Sequence, residues 1–396
     1  MRVLSVTAQK PCSTGSGVYL TEVVRSLAKM GVSQAVVAGV TREDRVDMPE
    51  GVTVYPVYFS SEKLPYPVVG MSDEMPYTST RYRDMTEEMA GQFKAAFLEV
   101  LDEAIEKENP DIILCHHLYY LTALIRAHYP AKKVYGFCHN TDLRQMESIS
   151  FERNFIRQEI PKLDRIFELQ EAQKEKIKKI YPVSEKQMTV IGTGYNSEVF
   201  KKTGIKSSRK DGKIRMIFAG KITQKKGVKS LLRALNLLDY EKEKIQLILA
   251  GGAGNLVEYE EIKELADGCR YPVVFAGCVT QSRLAELYND CDIFVLPSMY
   301  EGLPLTVIES LACGDRVVMT KLEGIAEWLA DMVPDADIRY VLPPGMKGTD
   351  EPLEEELPEF ESRLAEALRE AIEEKDTKEC DVSRISWQKI AREVIR

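Results

Sequence analysis

Pro297-Ser298-Met299-Tyr300-Glu301-Gly302-Leu303-Pro304-Leu305-Thr306-Val307-Ile308-Glu309-Ser310-Leu311-Ala312-Cys313-Gly314 follows the apolar run Ile293-Phe294-Val295-Leu296. The run reads as a strand, the stretch around Glu301 as a loop, and Leu305–Cys313 as a helix. Pro304 in the helix's first turn leaves backbone N–H groups aimed at whatever lies beyond the strand. Glu309, two turns inside, shares a face with Leu305 by i, i+4 spacing. Its neighbours Leu305, Ile308 and Ala312 are apolar, which argues against a plain surface charge. A carboxylate accepts two hydrogen bonds well, so two glutamates at one strand end suit vicinal hydroxyls of a sugar and a ribose.

Outward from this segment the same rhythm repeats. Strands are expected at Met216–Ala219, Gln246–Ala250, Val273–Phe275, Arg316–Thr320 and Ile338–Leu342, with helices between them. The first half reads alike, with strands at Val3–Val6, Ala35–Ala38, Thr53–Val57, Ile112–Cys115, Val134–Cys138, Arg165–Glu168 and Met188–Ile191. Alternating strands and helices call for parallel sheets with crossover helices. The fold class is therefore α/β: two Rossmann-like, doubly wound parallel-sheet domains. The polar, aperiodic stretch 201–213 separates them and reads as a linker. The expected divisions are 1–200, 201–213, 214–375 and a C-terminal helix in 376–396 that packs back on the first domain and buries Trp387.

With 396 residues, 44% hydrophobic and 29% charged, the chain is an ordinary folded protein of more than one domain. Its net charge of −9 is unevenly spread. Asp350 to Asp376 holds twelve acids and three bases, whereas Lys201 to Lys226 holds ten bases and one acid, Asp211. No nucleic-acid partner is expected from this balance, but a local anionic ligand is. The bases at 174–179 and 201–213 suggest peripheral contact with anionic lipid. The acidic 350–356 reads as a surface loop. The eight cysteines, Cys12, Cys115, Cys138, Cys269, Cys278, Cys291, Cys313 and Cys380, lack C-x-x-C spacing and read as buried thiols of a reducing compartment. Without a signal-like or membrane-spanning run, the expected location is cytoplasmic, with peripheral contact at the inner membrane face.

Other motifs are weaker singly. Gly15 and Gly17 sit in a strand-to-helix turn that can bring amides to a phosphate, although a structural turn fits as well. Leu20 replaces the third glycine of a dinucleotide fingerprint, which removes the main support for an oxidoreductase. His116 and His117 follow one strand and His139 another, where open α/β sheets keep their ligands. His139 heads the polar cluster with Asn140, Asp142 and Arg144, which reads as a site or as a loop bonded to itself. His128 falls in a helix. Lys221 ends a strand, and Lys225-Lys226-Gly227 precedes a helix, a compact arrangement for a diphosphate. The Tyr- and Pro-rich 55–82 reads equally as an acceptor-shaping loop or a surface crossover. The pairs Asp290/Asp292 and Asp335/Asp337 resemble a D-x-D metal motif only superficially, and no metal is expected.

Taken together the chain resembles the retaining glycosyltransferases of family four, with the GT-B fold. The resemblance rests on P-S-x-x-E-G-x-P-L-x-x-x-E-S-x-A-C-G with its E-x7-E spacing, Gly15/Gly17, the His139 segment, Val190 to Phe200, Gly220-Lys221 with Lys226-Gly227, and Ser386-Trp387. It implies two domains facing a central cleft and a nucleotide-sugar donor, most of all a UDP-sugar. Lys221 and Lys226 would hold the diphosphate, with Gly15 and Gly17 approaching it. Glu309 would bind the ribose, and Glu301 with the amides of Gly302, Leu303, Pro304 and Leu305 the sugar, proline's missing N–H aside. His139 and Glu301 would be catalytic, on a same-face route needing no side-chain nucleophile, no metal and no cofactor. His116, His117, Asn140, Asp142 and Arg144 would line the acceptor side. The acceptor is unidentified: a glycan, a lipid-linked or a cell-envelope precursor. The oligomeric state is not read. Lys221 stands where the family often has Arg, keeping the charge without the fork; Gly31-Val32 and Arg316 also depart from pattern. A sugar-nucleotide epimerase and a non-catalytic nucleotide-sugar-binding subunit are the alternatives.

Overall fold

The structure, a computed structural model, describes residues 1–11, 13–73, 75–348, 351–374 and 380–396. The chain forms two compact units, Met1–Gly194 with Trp387–Arg396, and Tyr195–Ser386.

The first unit holds β1 (Arg2–Thr7), β2 (Ser33–Val40), β3 (Thr53–Tyr58), the short pair β4 (Val69–Gly70) and β5 (Thr80–Arg81), then β6 (Ile112–His116), β7 (Lys133–Phe137), β8 (Arg165–Glu168) and β9 (Met188–Val190). Seven of these form one parallel sheet in the order β3-β2-β1-β6-β7-β8-β9. Its central strands are unbroken apolar runs because helices cover both faces, and Leu4, Ile113, Val134 and Ile166 are wholly buried. Each such aliphatic side chain contributes roughly 1.5–3 kcal/mol by leaving water. The helices are α1 (Gly15–Lys29), α2 (Glu87–Glu108), α3 (Tyr120–His128), α4 (Thr141–Ser148), α5 (Arg153–Glu159) and α6 (Glu171–Ile180). Thr14 and Thr86 cap α1 and α2 by accepting from Gly17 N and Met89 N.

The second unit carries α7 (Ile205–Ser208), β10 (Ile214–Ala219), α8 (Val228–Asn236), β11 (Ile245–Ala250), α9 (Leu256–Asp267), β12 (Val273–Gly277), α10 (Gln281–Asp290), β13 (Ile293–Leu296), α11 (Leu305–Ala312), β14 (Arg316–Thr320), α12 (Ile325–Met332), β15 (Ile338–Val341), the hairpin β16 (Met346–Lys347) and β17 (Glu351–Pro352), and α13 (Leu357–Glu373). The main sheet runs β12-β11-β10-β13-β14-β15, all parallel. The last helix, α14 (Trp387–Val394), returns to the first unit, where Glu393 meets Arg165 at 3.3 Å.

Several expectations change. Helices α4 and α5 join those read from the sequence, α3 gives the helix read at His128 its bounds, and the His139 cluster leads into α4. Residues 201–213 fold onto the second unit instead of lying free between domains. Thr203 donates to Asn289 Oδ1 at 2.8 Å, Lys206 meets Asp315 at 2.5 Å, and Arg209 meets both Asp292 oxygens at 2.6 Å. The units divide at Gly194/Tyr195 and Ser386/Trp387, ahead of residue 200 and after residue 376. Cys12, Asp350 and the expected boundary at 375/376 lie outside the described residues. Cys115, Cys138, Cys291 and Cys313 are buried, whereas Cys269 and Cys380 are half-buried and Cys278 is exposed. Among the described residues no helix is long and apolar enough to cross a membrane. Several of the bases expected to meet lipid are engaged by acids: Lys174 by Glu171, Lys178 by Glu175, Lys206 by Asp315 and Arg209 by Asp292.

Candidate functional site

Each sheet has one place where neighbouring strands send their connections in opposite directions: between β1 and β6 in the first unit, and between β10 and β13 in the second. Beyond the carboxyl ends of such strands a crevice opens, which is where open α/β sheets bind ligands. The residues singled out from the sequence fall at these two places, and each unit is taken by itself.

In the second unit, β10 runs into Gly220 and Lys221, and β13 into the loop that holds Glu301. The two loops are knitted together. Met299 N donates to Lys225 O at 3.0 Å, and Lys226 Nζ meets Glu301 Oε1 at 2.6 Å and Tyr300 O at 3.5 Å. Gly227, at φ +73°, lies so close that a Cβ there would sit 2.1 Å from Pro297 O, so only glycine lets Lys226 reach the second loop. Pro304 is the cap of α11, and Glu309 is its fifth residue, little more than one turn in and not two. Glu309 is 6% exposed, and its charge adds to burial in pushing the Tyr288 hydroxyl up. Lys221 is half-buried past β10; past β13, Gly302 and Leu305 are half-buried and Leu303 and Pro304 buried. The Asp290/Asp292 and Asp337 carboxylates are met by arginines: Arg209 and Arg215 on the first pair, Arg316 and Arg339 on the other.

In the first unit, His116 ends β6 and His139 lies just past β7. Their rings stack at 5.3 Å and 12°, with His116 Nδ1 3.1 Å from His139 Nε2. His117 Nε2 is 3.1 Å from Ser16 Oγ, which draws the turn containing Gly15 and Gly17 to the same place. Gly15 is exposed, whereas the Gly17 amide is taken by the Thr14 cap at 3.1 Å. Burial drives His139 down to about 3 and holds His116 and His117 well below the usual imidazole range, so all three are neutral. A positive φ at both His117 (+77°) and Asn140 (+71°) shows strained backbone at both strand ends, of a kind costing roughly 1–3 kcal/mol each.

Asp142 supplies what holds them. It is fully buried and accepts from Leu118 N at 2.7 Å, His139 N at 3.4 Å and Leu143 N at 3.2 Å, tying the loop after β6 to the loop after β7. The sequence placed Asp142 on an acceptor-facing surface; the structure turns it inward, where the amides of Leu118 and His139 past the two strand ends and of Leu143 in α4 find their acceptor. Burial still outweighs those bonds and raises its carboxyl to about 6. Asn140 and Arg144 are buried beside it, Arg144 lying 3.8 Å from Asp73. The 55–82 stretch is fastened to α4 by that pair and by Gln145 Nε2 donating to Met71 O at 2.9 Å. Glu74 is outside the described residues. Ser16 and Tyr19 were missed in the sequence, although they stand three apart on α1 and so share the face that meets His117 and His139.

Comparison with known proteins follows the same division. Residues 13–199 match the family model Glycosyltransferase Family 4, and residues 200–379 match Glycosyl transferases group 1. The chain carries two glycosyltransferase domains in tandem. The family 4 domain is 1 of them and holds the histidines; the group 1 domain holds Lys226, Glu301 and Glu309. An uncharacterized glycosyltransferase of Methanocaldococcus jannaschii is 31% identical over 163 residues, covering 39% of this chain and 41% of that protein. D-inositol 3-phosphate glycosyltransferase 2 of Catenulispora acidiphila is 24% identical over 347 residues, covering 80% and 76%. The chain spans less than half the length of the first curated relatives it matches, at 41% and 46%. A solved Anabaena protein in complex with UDP-glucose has the same fold, with a TM-score of 0.64 at 14% identity, covering 100% of this chain and 98% of that one. The architecture is GT-B.

Proposed function

We propose that the chain is a retaining, metal-independent glycosyltransferase of family four. It moves a sugar from a nucleotide diphosphate-sugar, a UDP-sugar first among them, to a hydroxyl of a glycan, a lipid-linked or a cell-envelope precursor. The observation that carries this reading is the Lys226–Glu301 pair at 2.6 Å at the β10/β13 strand ends, with buried Glu309 on the helix that follows. A lysine at a strand end can exchange its carboxylate for a diphosphate, and the carboxylate so released is then ready to accept sugar hydroxyls. Glu309 is assigned the ribose, and Lys221 a second contact to phosphate. The UDP-glucose complex of the Anabaena protein supports a uridine donor.

His139 is assigned to the reacting sugar. As a neutral imidazole it can accept or donate a hydrogen bond without adding a fixed charge, which suits a carbon that gains positive character in the transition state. In the transfer the bond from the anomeric carbon to the phosphate oxygen breaks, and the bond to the acceptor oxygen forms on the same face. The acceptor's proton leaves with the phosphate oxygen, so no side-chain nucleophile and no cofactor takes part.

Lys226→Ala and Glu309→Ala should each weaken UDP binding at least tenfold in calorimetry while thermal unfolding shows an intact fold. Binding unchanged in both overturns the donor assignment. Incubation with UDP-glucose alone separates the epimerase alternative, which would return the epimerised nucleotide sugar without any acceptor.

A further inference from the structure

Trp387 opens α14, directly after the chain returns from the second unit, and is 5% exposed. Its ring meets Tyr19 of α1 edge-on, with centroids 4.9 Å apart at 88°. Tyr19 in turn meets His139 at 5.2 Å and 76°, and His116 at 6.2 Å and 64°. The Tyr19 hydroxyl donates to Gly192 O at 3.1 Å, just before the chain leaves for the second unit. Gly194 lies against Trp387 so closely that a Cβ would be 2.5 Å from the Trp387 ring and backbone nitrogen. Both points at which the chain changes unit are thus fastened to one tyrosine, and that tyrosine braces the stacked histidines.

We propose that Tyr19 and Trp387 are positioning residues that fix the His139 imidazole, an inference that rests on the part assigned to His139 above. The neutral pair needs such a brace. With His116 Nδ1 and His139 Nε2 3.1 Å apart, one nitrogen must carry the proton and the other accept it. That arrangement survives only while the two rings stay parallel. His116 Nε2 has no hydrogen-bond partner among the described residues, so no hydrogen bond on that side fixes the ring, whose face lies on Phe137 with centroids 4.8 Å apart at 14°. A stack alone lets the rings turn in their own planes, and edge contacts oppose that turning: Tyr19 against both rings, Trp387 behind Tyr19, and His117 against His139 at 4.9 Å and 61°. Aromatic edges of this kind prefer the tilted, roughly 5 Å geometry seen here.

The test reads the imidazoles directly, by long-range proton–nitrogen correlation on protein labelled with ¹⁵N-histidine. Only four histidines occur, and exposed His128 serves as an internal reference. The intact protein should show one tautomer each for His116 and His139. Trp387→Ala should turn both into tautomer mixtures without moving His128, and Trp387→Phe, which keeps an aromatic edge, should restore the single tautomers. Tyr19→Leu, which leaves α14 in place, should give the same mixture and serves where Trp387→Ala fails to fold. Single, unshifted tautomers in the folded Trp387→Ala or Tyr19→Leu protein overturn the inference. The spectrum needs no donor. Loss of the nucleotide-binding reading would therefore leave the spectral result standing, and an unchanged spectrum would leave that reading untouched.

Discussion

Buried neutral histidines tie the family 4 domain's stability to acid. His139 in the folded protein takes a proton only near pH 3, against 6.5 in an unfolded chain. Below pH 6.5 the unfolded state holds more protons, so stability falls as pH falls, by up to about 1.4 kcal/mol per pH unit for each such histidine. Asp142 opposes this, because its carboxyl, raised from 3.8 to about 6, binds a proton more readily when folded and favours the folded state as pH falls through that window. His139→Phe should therefore flatten the pH dependence of the urea midpoint between about pH 4 and 6.5; an unchanged slope would mean that His139 is not held neutral. The same residues show what a sequence can disclose about a site. Position after a strand pointed to His116, His117, His139 and Glu301. The inward turn of Asp142 and the edge contacts of Tyr19 depend on which strands lie side by side, and nothing in the residues near Asp142 states that β6 and β7 are neighbours.

Among the elements, α7 and the stretch around it show how composition can mislead. A run of Lys, Gly and Ser without period reads as a linker, yet Thr203 finds Asn289, Arg209 finds Asp292 and Lys206 finds Asp315, all far along the chain. The pair Lys206–Asp315 is the most consequential. Asp315 has a wholly buried side chain, and burial lifts its carboxyl to about 7 even with Lys206 at 2.5 Å. Protonated Asp315 needs no counter-charge, whereas ionised Asp315 does. Lys206→Ala should therefore cost about 3 kcal/mol near pH 8.5 and clearly less near pH 5.5, measured by urea unfolding at the two pH values. An equal cost at both would contradict the burial argument. Helix α3 was read only at His128, its last residue, without bounds, because it is buried from Tyr120 through Arg126 and its apolar residues surround the axis.

At the scale of the whole chain, the α/β class and the position of every main-sheet strand were legible, because parallel strands buried on both faces are continuous apolar runs set between amphipathic helices. The strand order was not legible, since parallel strands are joined by crossovers of similar length whichever neighbour they choose. That order creates the two switch points and so decides which motifs meet: Lys226 reaches Glu301 because β10 and β13 are adjacent, with two strands intervening in sequence. If Lys226 and Glu301 mark a nucleoside diphosphate site that works without metal, as proposed, calorimetric titration of the purified protein with UDP, GDP and ADP in the presence of EDTA should show saturable binding of UDP at least tenfold tighter than of the other two; no binding by any of the three would overturn the proposal.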